Sequence, residues 1–166
     1  IMKLSFVIPA YNEEKDIGAC LGSILKEAAD KSHDMEIIVV NNASTDKTGE
    51  IAQSFPGVKV VDEMHKGLSA ARHAGFLAAS GDLIANIDAD TMLTPVWIDK
   101  VFRAFSENSN LVAFSGPYIY YDLSRLVNWW VRVFYYLGFI GYLFNRYVFH
   151  KGAMLQGGNF VVKKSA

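Results

Sequence analysis

Cysteine, net charge and long apolar runs are all scarce in this sequence, and each scarcity removes a class of protein. The single cysteine, Cys20, has no partner in the chain for a disulfide. It falls at an apolar position of an expected helix, so a reduced, buried thiol is expected and a cytoplasmic setting follows. The 16 basic and 17 acidic residues leave a net charge of -1, without the basic excess that nucleic-acid binding demands, so nucleic acid is not expected as a partner. The apolar run from Ile1 to Ile8 is too short for a secretory signal and has no cleavage pattern. Repeats, low-complexity tracts and long linkers are absent too. One domain over residues 1–166 is therefore expected, long enough to bury roughly two-thirds of its unfolded surface without a disulfide or structural metal.

What is present is a regular alternation. Leu4–Ile8 reads as a strand buried on both faces and closed by Pro9. Ile17, Leu21, Ile24, Leu25 and Ala28 then recur at helical spacing from Glu14 onward. Met35–Val40 is a second strand, followed by a polar turn from Asn41 to Asp46 and a helix to about Phe55. Val58–Val61, Leu68–Ala79 and Leu83–Ile87 repeat the strand, helix, strand cycle. Thr94 and Pro95 read as N-cap and first residue of a helix reaching about Ser106, and Leu111–Tyr121 as a further strand. Strands alternating with helices imply right-handed crossovers and an α/β fold with a mainly parallel sheet.

In such sheets ligands gather at the carboxyl ends of the strands. The polar clusters Ala10–Glu14, Asn41–Asp46 and Asp88–Asp90 fall there. The turn after the first strand contains no glycine, which removes the dinucleotide-binding reading, and no glycine- and basic-rich triphosphate loop supports a nucleotidyltransferase. Asp88 and Asp90, at alternate positions of a segment read as extended, would point to one side. Two such carboxylates repel unless a cation joins them, and Mg²⁺ or Mn²⁺ held by one or two carboxylates plus phosphate oxygens fits. Read alone, Lys66 and Arg72 fit a pair of solvated surface charges better than ligands, and the two aspartates fit a solvated turn as well as a metal site.

Taken together, Val7-Ile8-Pro9-Ala10-Tyr11-Asn12-Glu13-Glu14, Ile38 through Asp46, Lys66-Gly67 with Arg72, and Asp88-Ala89-Asp90 resemble the family 2 glycosyltransferases in order and spacing. Gln156-Gly157-Gly158-Asn159-Phe160 resembles the family's acceptor-side segment. The resemblance implies the GT-A fold and a metal-dependent, inverting transfer of sugar from a nucleotide-diphospho-sugar donor to a sugar or lipid-linked acceptor. It implies that Pro9, Tyr11, Glu13, Asn41, Asn42 and Ser44 cradle base and ribose, and that Lys66, Gly67 and Arg72 lie near the phosphates. Asp88, Ala89 and Asp90 would meet ribose and metal (the metal through Asp88 and Asp90), and Gly157, Gly158 and Asn159 the acceptor. On this reading residues 1–122 bind the nucleotide-sugar, 123–149 form an amphipathic segment and 150–166 begin the acceptor-side region. Two departures stand out. Asn41 and Asn42 replace an Asp pair, which leaves the base open among UDP, GDP and dTDP. No carboxylate follows Asp122, so the acidic general base of the family is expected beyond Ala166. The alternative is a non-catalytic nucleotide-sugar-binding or membrane-docking module.

From Leu126, the residues Trp130, Val133, Phe134, Leu137, Ile140, Phe144 and Val148 follow at helical spacing, with Arg125, Asn128, Arg132, Tyr136 and Arg146 opposite. One amphipathic helix or two is expected. Its longest run without charge or amide, Val133–Phe144, is too short to cross a bilayer. Peripheral contact with a membrane interface and packing into a core or dimer both remain open.

Overall fold

The computed structural model describes residues 2–29, 33–116, 124–149 and 157–165. Its centre is a six-stranded sheet. In chain order the elements are β1 (Leu4–Ala10), α1 (Ile17–Ala28), β2 (Met35–Asn41), α2 (Thr48–Gln53), β3 (Val58–Asp62), α3 (Leu68–Ala78) and β4 (Leu83–Ile87). They continue with α4 (Trp97–Glu107), β5 (Ala113–Ser115), α5 (Arg125–Val148) and β6 (Asn159–Lys163). The strand order is β3-β2-β1-β4-β6-β5. The first four strands are parallel, and β6 runs antiparallel between β4 and β5. The expected α/β architecture with a mainly parallel sheet is what is seen.

Every residue of β1 is buried, as its unbroken apolar run requires. Phe6, Ile8 and Ala10 join Ile17, Cys20, Leu21, Ile24, Ile98, Val101 and Phe105 in the larger core, between the sheet and α1 and α4. Val7, Ile38, Val40 and Ile84 face the other way, onto Ala71 and Ala79 of the α3 region. There α3 comes so close that a Cβ at Gly75 would lie 2.2 Å from Val7 Cγ1. Only glycine fits this approach.

Leu4 of β1 pairs with both Met35 and Leu83, so the parallel strands start level and their carboxyl ends form one rim. Several boundaries differ from expectation. β1 runs through Pro9, which pairs with Val40, because β4 pairs with β1 only from Leu4 to Val7. The N–H that proline lacks is therefore not needed on that side. α4 starts at Trp97 rather than at Thr94-Pro95. The Trp97 N–H donates to the Thr94 carbonyl at 3.2 Å, and Val96 at φ 59° is left-handed, so Thr94–Trp97 form a β-turn with proline in its favoured second place. Of the strand expected over 111–121 only Ala113–Ser115 is paired, and residues 117–121 lie outside the described part. The aromatic segment is one helix, capped by Ser124, whose Oγ accepts from Val127 N–H. None of its residues is buried. Among the described residues no helix is long and apolar enough to cross a membrane.

Candidate functional site

The turns after β1 and β2 are sewn together by their own polar side chains. Asn12, left-handed at φ 57°, accepts at Oδ1 from the Thr45 N–H at 2.8 Å, and its own N–H donates to Ser44 Oγ at 3.1 Å. The Glu13 N–H donates to Thr48 Oγ1 (2.8 Å), and the Glu14 N–H to Asp46 Oδ2 (3.1 Å). In return the Lys47 N–H donates to Glu14 Oε2 at 3.2 Å. Burial pushes the Asp46 carboxyl up, but donors from Thr48 and Glu14 outweigh it and hold it down. Asn12 and Asp46 thus build the rim, a role the sequence reading did not give them. Their signal was an Asn just past a strand, where a left-handed turn favours it.

Asn42 is turned inward and only 4% exposed. Its amide donates to the carbonyls of Glu63 (3.0 Å) and His65 (2.7 Å), and its Oδ1 accepts from the Gly67 N–H at 2.7 Å. That side chain therefore fastens the strap of residues 63–67, which crosses to α3 through Gly67 at φ 140°. Asn41 donates to Asp62 Oδ1 at 2.8 Å, while its buried Oδ1 has no hydrogen-bond partner. Pro9 lies inside β1. Tyr11 stands free of the core at 46% exposure, and Lys66 Nζ donates to its hydroxyl at 3.0 Å from a position 4.7 Å from the ring centroid.

The second half of the rim is the end of β4. Asp88-Ala89-Asp90 is not extended: the Thr91 N–H donates to the Asp88 carbonyl at 3.0 Å, closing a β-turn. Ala89 is buried, Asp90 is exposed and the Asp88 side chain is partly exposed. The Asp88 N–H donates to the Gly158 carbonyl at 3.1 Å, which brings the Gly157-Gly158-Asn159 segment beside the turn. Asn159 opens β6 and pairs with Ile87. Arg72, on α3, places Nη2 3.4 Å from Asp88 Oδ1 and donates from the same nitrogen to the Gly157 carbonyl. Its guanidinium carbon lies 5.5 Å from the Phe160 ring centroid, and its Nε is buried without a partner.

The rim concentrates negative charge. Burial first, then Asp90, Asp16, Asp46 and Asp88, push the Glu13 carboxyl up. Burial, with Asp90 and Asp88 adding to it, pushes the Cys20 thiol up to about 12, and its Sγ lies 3.8 Å from the Asp88 carbonyl oxygen. A thiol held neutral in this way is a core group rather than a nucleophile. Among the described residues no three His, Cys, Asp or Glu side chains form a metal cage. Two hard carboxylates in one turn nevertheless suit Mg²⁺ or Mn²⁺, ions that complete their shells with water and phosphate oxygens.

The family model described as "Glycosyl transferase family 2" matches residues 5–166. A putative glycosyltransferase, EpsH, of Bacillus subtilis is 33% identical over 113 residues, covering 66% of this chain and 32% of that protein. The dolichol-phosphate mannosyltransferase of Pyrococcus furiosus is 35% identical over 132 residues, covering 77% of this chain and 36% of that protein. The chain thus spans about a third of the length of these curated relatives. The crystal structure of glucosyl-3-phosphoglycerate synthase from Mycobacterium tuberculosis with uridine diphosphate superposes with a TM-score of 0.66 at 22% identity. That match covers 99% of this chain and 57% of that one, and it speaks for the fold.

Proposed function

The chain belongs to glycosyl transferase family 2, and from that premise we propose that it is the donor-binding part of an enzyme that transfers a sugar from a nucleoside-diphospho-sugar to an acceptor hydroxyl. The observation that carries this reading is the rim of strand ends that bears the Tyr11–Lys66 pair and, at the end of β4, Arg72 joined to Asp88 and the Gly157 segment. Residues 1–122 form the nucleotide-sugar-binding part, 123–149 an amphipathic arm and 150–166 the start of the acceptor side.

In this reading the exposed Tyr11 ring, Glu13 and Ser44 line the base and ribose, with Asn41 behind them at the end of β2. Pro9 and Asn42 shape that surface from within. Lys66 and Arg72 hold diphosphate oxygens, a task for which a guanidinium can bind two oxygens at once. Asp88 and Asp90 would hold Mg²⁺ or Mn²⁺, which when bound neutralises the charge developing on the departing diphosphate. Gly157, Gly158 and Asn159 border the acceptor. The acceptor oxygen attacks the anomeric carbon as the nucleoside diphosphate leaves from the opposite face, with inversion. The general base that takes the hydroxyl proton stands on the acceptor side of that carbon.

The arm supports a sugar or lipid-linked acceptor reached from the inner face of a membrane. α5 exposes Trp129, Trp130, Phe134 and Phe144, carries Arg125, Arg132 and Arg146, and belongs to a stretch with no acidic residue after Asp122. Aromatic and basic groups without acidic ones suit peripheral contact with anionic lipid.

Calorimetric titration with UDP, GDP and dTDP, with and without Mn²⁺, tests the reading. At least one nucleotide should bind more tightly with Mn²⁺, and Asp90→Ala should remove the Mn²⁺ dependence without altering the circular dichroism. An unchanged Mn²⁺ dependence in that variant refutes the metal assignment, and no binding of any nucleotide refutes the whole.

A further inference from the structure

Arg72 is engaged in a way that phosphate binding alone does not require. One of its nitrogens, Nη2, serves two distant parts of the chain: the Asp88 carboxylate at 3.4 Å and the Gly157 carbonyl, 85 residues away in sequence. The Phe160 ring lies 5.5 Å from the guanidinium carbon, so the face of a β6 residue also contacts this cation. Asp88 is joined to the same segment a second time, through its N–H and the Gly158 carbonyl. The arrangement is also incomplete, since Nε is buried with no partner. Leaving such a donor unmade costs free energy that a bound anion would recover.

We propose that Arg72 is a placeholder cation for Asp88 and a tether between the donor turn and the start of β6. This rests on the donor-binding reading above. Before the donor arrives, the guanidinium neutralises Asp88 and holds Gly157 against the turn. A divalent ion that takes Asp88 must displace that charge. The displacement is costly unless the donor's diphosphate arrives with the ion, because the phosphate oxygens then offer Arg72 a replacement anion and give Nε a partner. Asp88 keeps a cation beside it at both stages, and Arg72 keeps an anion. Metal and nucleotide therefore bind synergistically, and by reciprocity each raises the affinity for the other by the same factor. Release of the Gly157 carbonyl in the same event couples donor arrival to the acceptor border.

The test uses Mn²⁺ alone, then Mn²⁺ with UDP and with GDP, on the parent chain, Arg72→Gln and Arg72→Lys. In Arg72→Gln the affinity for Mn²⁺ alone should rise on the order of three- to tenfold, the scale of one partly exposed charge pair. The enhancement of Mn²⁺ binding by nucleotide should shrink. Arg72→Lys keeps the charge but not the two-way reach, so Mn²⁺ alone should bind as in the parent. In both variants the Asp88 amide should exchange hydrogen faster, because Gly157 is no longer tethered. A residue with a merely structural role would not raise metal affinity when removed. Unchanged or weaker binding of Mn²⁺ alone in Arg72→Gln, with a parent-like circular dichroism spectrum, overturns the placeholder role while leaving the donor-binding reading intact. Failure of the parent chain to bind Mn²⁺ and either nucleotide overturns both.

Discussion

Glycine in the middle of a helix ordinarily destabilises it, by about 0.5–1 kcal/mol relative to alanine. Gly22 and Gly75 both lie inside helices, α1 and α3, and opposite outcomes are expected when each becomes alanine. A Cβ at Gly22 meets nothing within 4 Å, so Gly22→Ala should stabilise the chain by about 0.5–1 kcal/mol. A Cβ at Gly75 would stand 2.2 Å from Val7 Cγ1 and 3.1 Å from Val40 Cγ2. Both valines are fully buried in β1 and β2, so neither side chain has room to withdraw and α3 itself must lift by more than 1 Å. Overpacking of this kind costs roughly 1–3 kcal/mol. Set against the helix gain, the net for Gly75→Ala should be a loss of about 1–2 kcal/mol. The displacement should also carry Arg72, one turn earlier on α3, away from Asp88, lowering affinity for the nucleotide. Urea unfolding midpoints compare the two variants directly. Val7→Ala in the Gly75→Ala background supplies a control, since removing the obstructing methyls should make the pair less destabilising than the sum of its parts. If Gly75→Ala unfolds at a urea concentration equal to or above that of Gly22→Ala, the close approach of α3 to β1 is wrong.

Glu36 sits at the opposite end of the sheet, where burial raises its carboxyl but donors from Ser5 and Ser80, with Lys3 nearby, outweigh burial and hold it at about 2. A carboxyl depressed from its ordinary 4.5 contributes stability above that value and loses it as pH falls from about 5 toward 2. Acid unfolding of Glu36→Gln should lack this component, on the order of 1–3 kcal/mol after allowance for the partly exposed side chain. At Asn42 an aspartate, the residue the family resemblance favours, should destabilise by about 2–4 kcal/mol, because its carboxylate would face the Glu63 and His65 carbonyls. Thermal melts showing Asn42→Asp as stable as the parent would remove the strap role. Flotation with anionic liposomes should recover the parent chain in a salt-sensitive way and recover less after Trp129→Ser with Trp130→Ser; equal recovery favours packing into a core or dimer.

The strands that a reader of the sequence finds first are those with the simplest physics. β1, β2 and β4 are apolar runs because both their faces are covered, and α5 shows its helical spacing because nothing interrupts it. The rim was legible in outline, since polar clusters interrupt apolar strands just where the sheet ends. What the sequence hid was direction and distance. An asparagine after a strand looks the same whether its amide faces a ligand or, as in Asn42, its own backbone. β6 alternates too briefly to announce itself and becomes a strand through pairing with Ala113–Ser115 and Leu83–Ile87. Arg72 finds Gly157 across 85 residues, a separation that no local pattern records.

β6 also decides when the sheet can be finished. β5 is joined to the other strands only through β6, and β4 shows an open edge until β6 lies against it. During synthesis the ribosome delivers β1 to β4 in an order that lets each parallel strand settle on its predecessors, but β6 at Asn159–Lys163 emerges well after β4 at Leu83–Ile87. At about 5–20 residues per second, several seconds pass between the exposure of β4 and the arrival of the strand that covers it. For that interval Ile84 and Ala85 present an unpaired ladder to any neighbouring chain. The late antiparallel strand is a keystone, and a nascent chain stalled before it should aggregate more readily than one in which β6 covers the β4 edge.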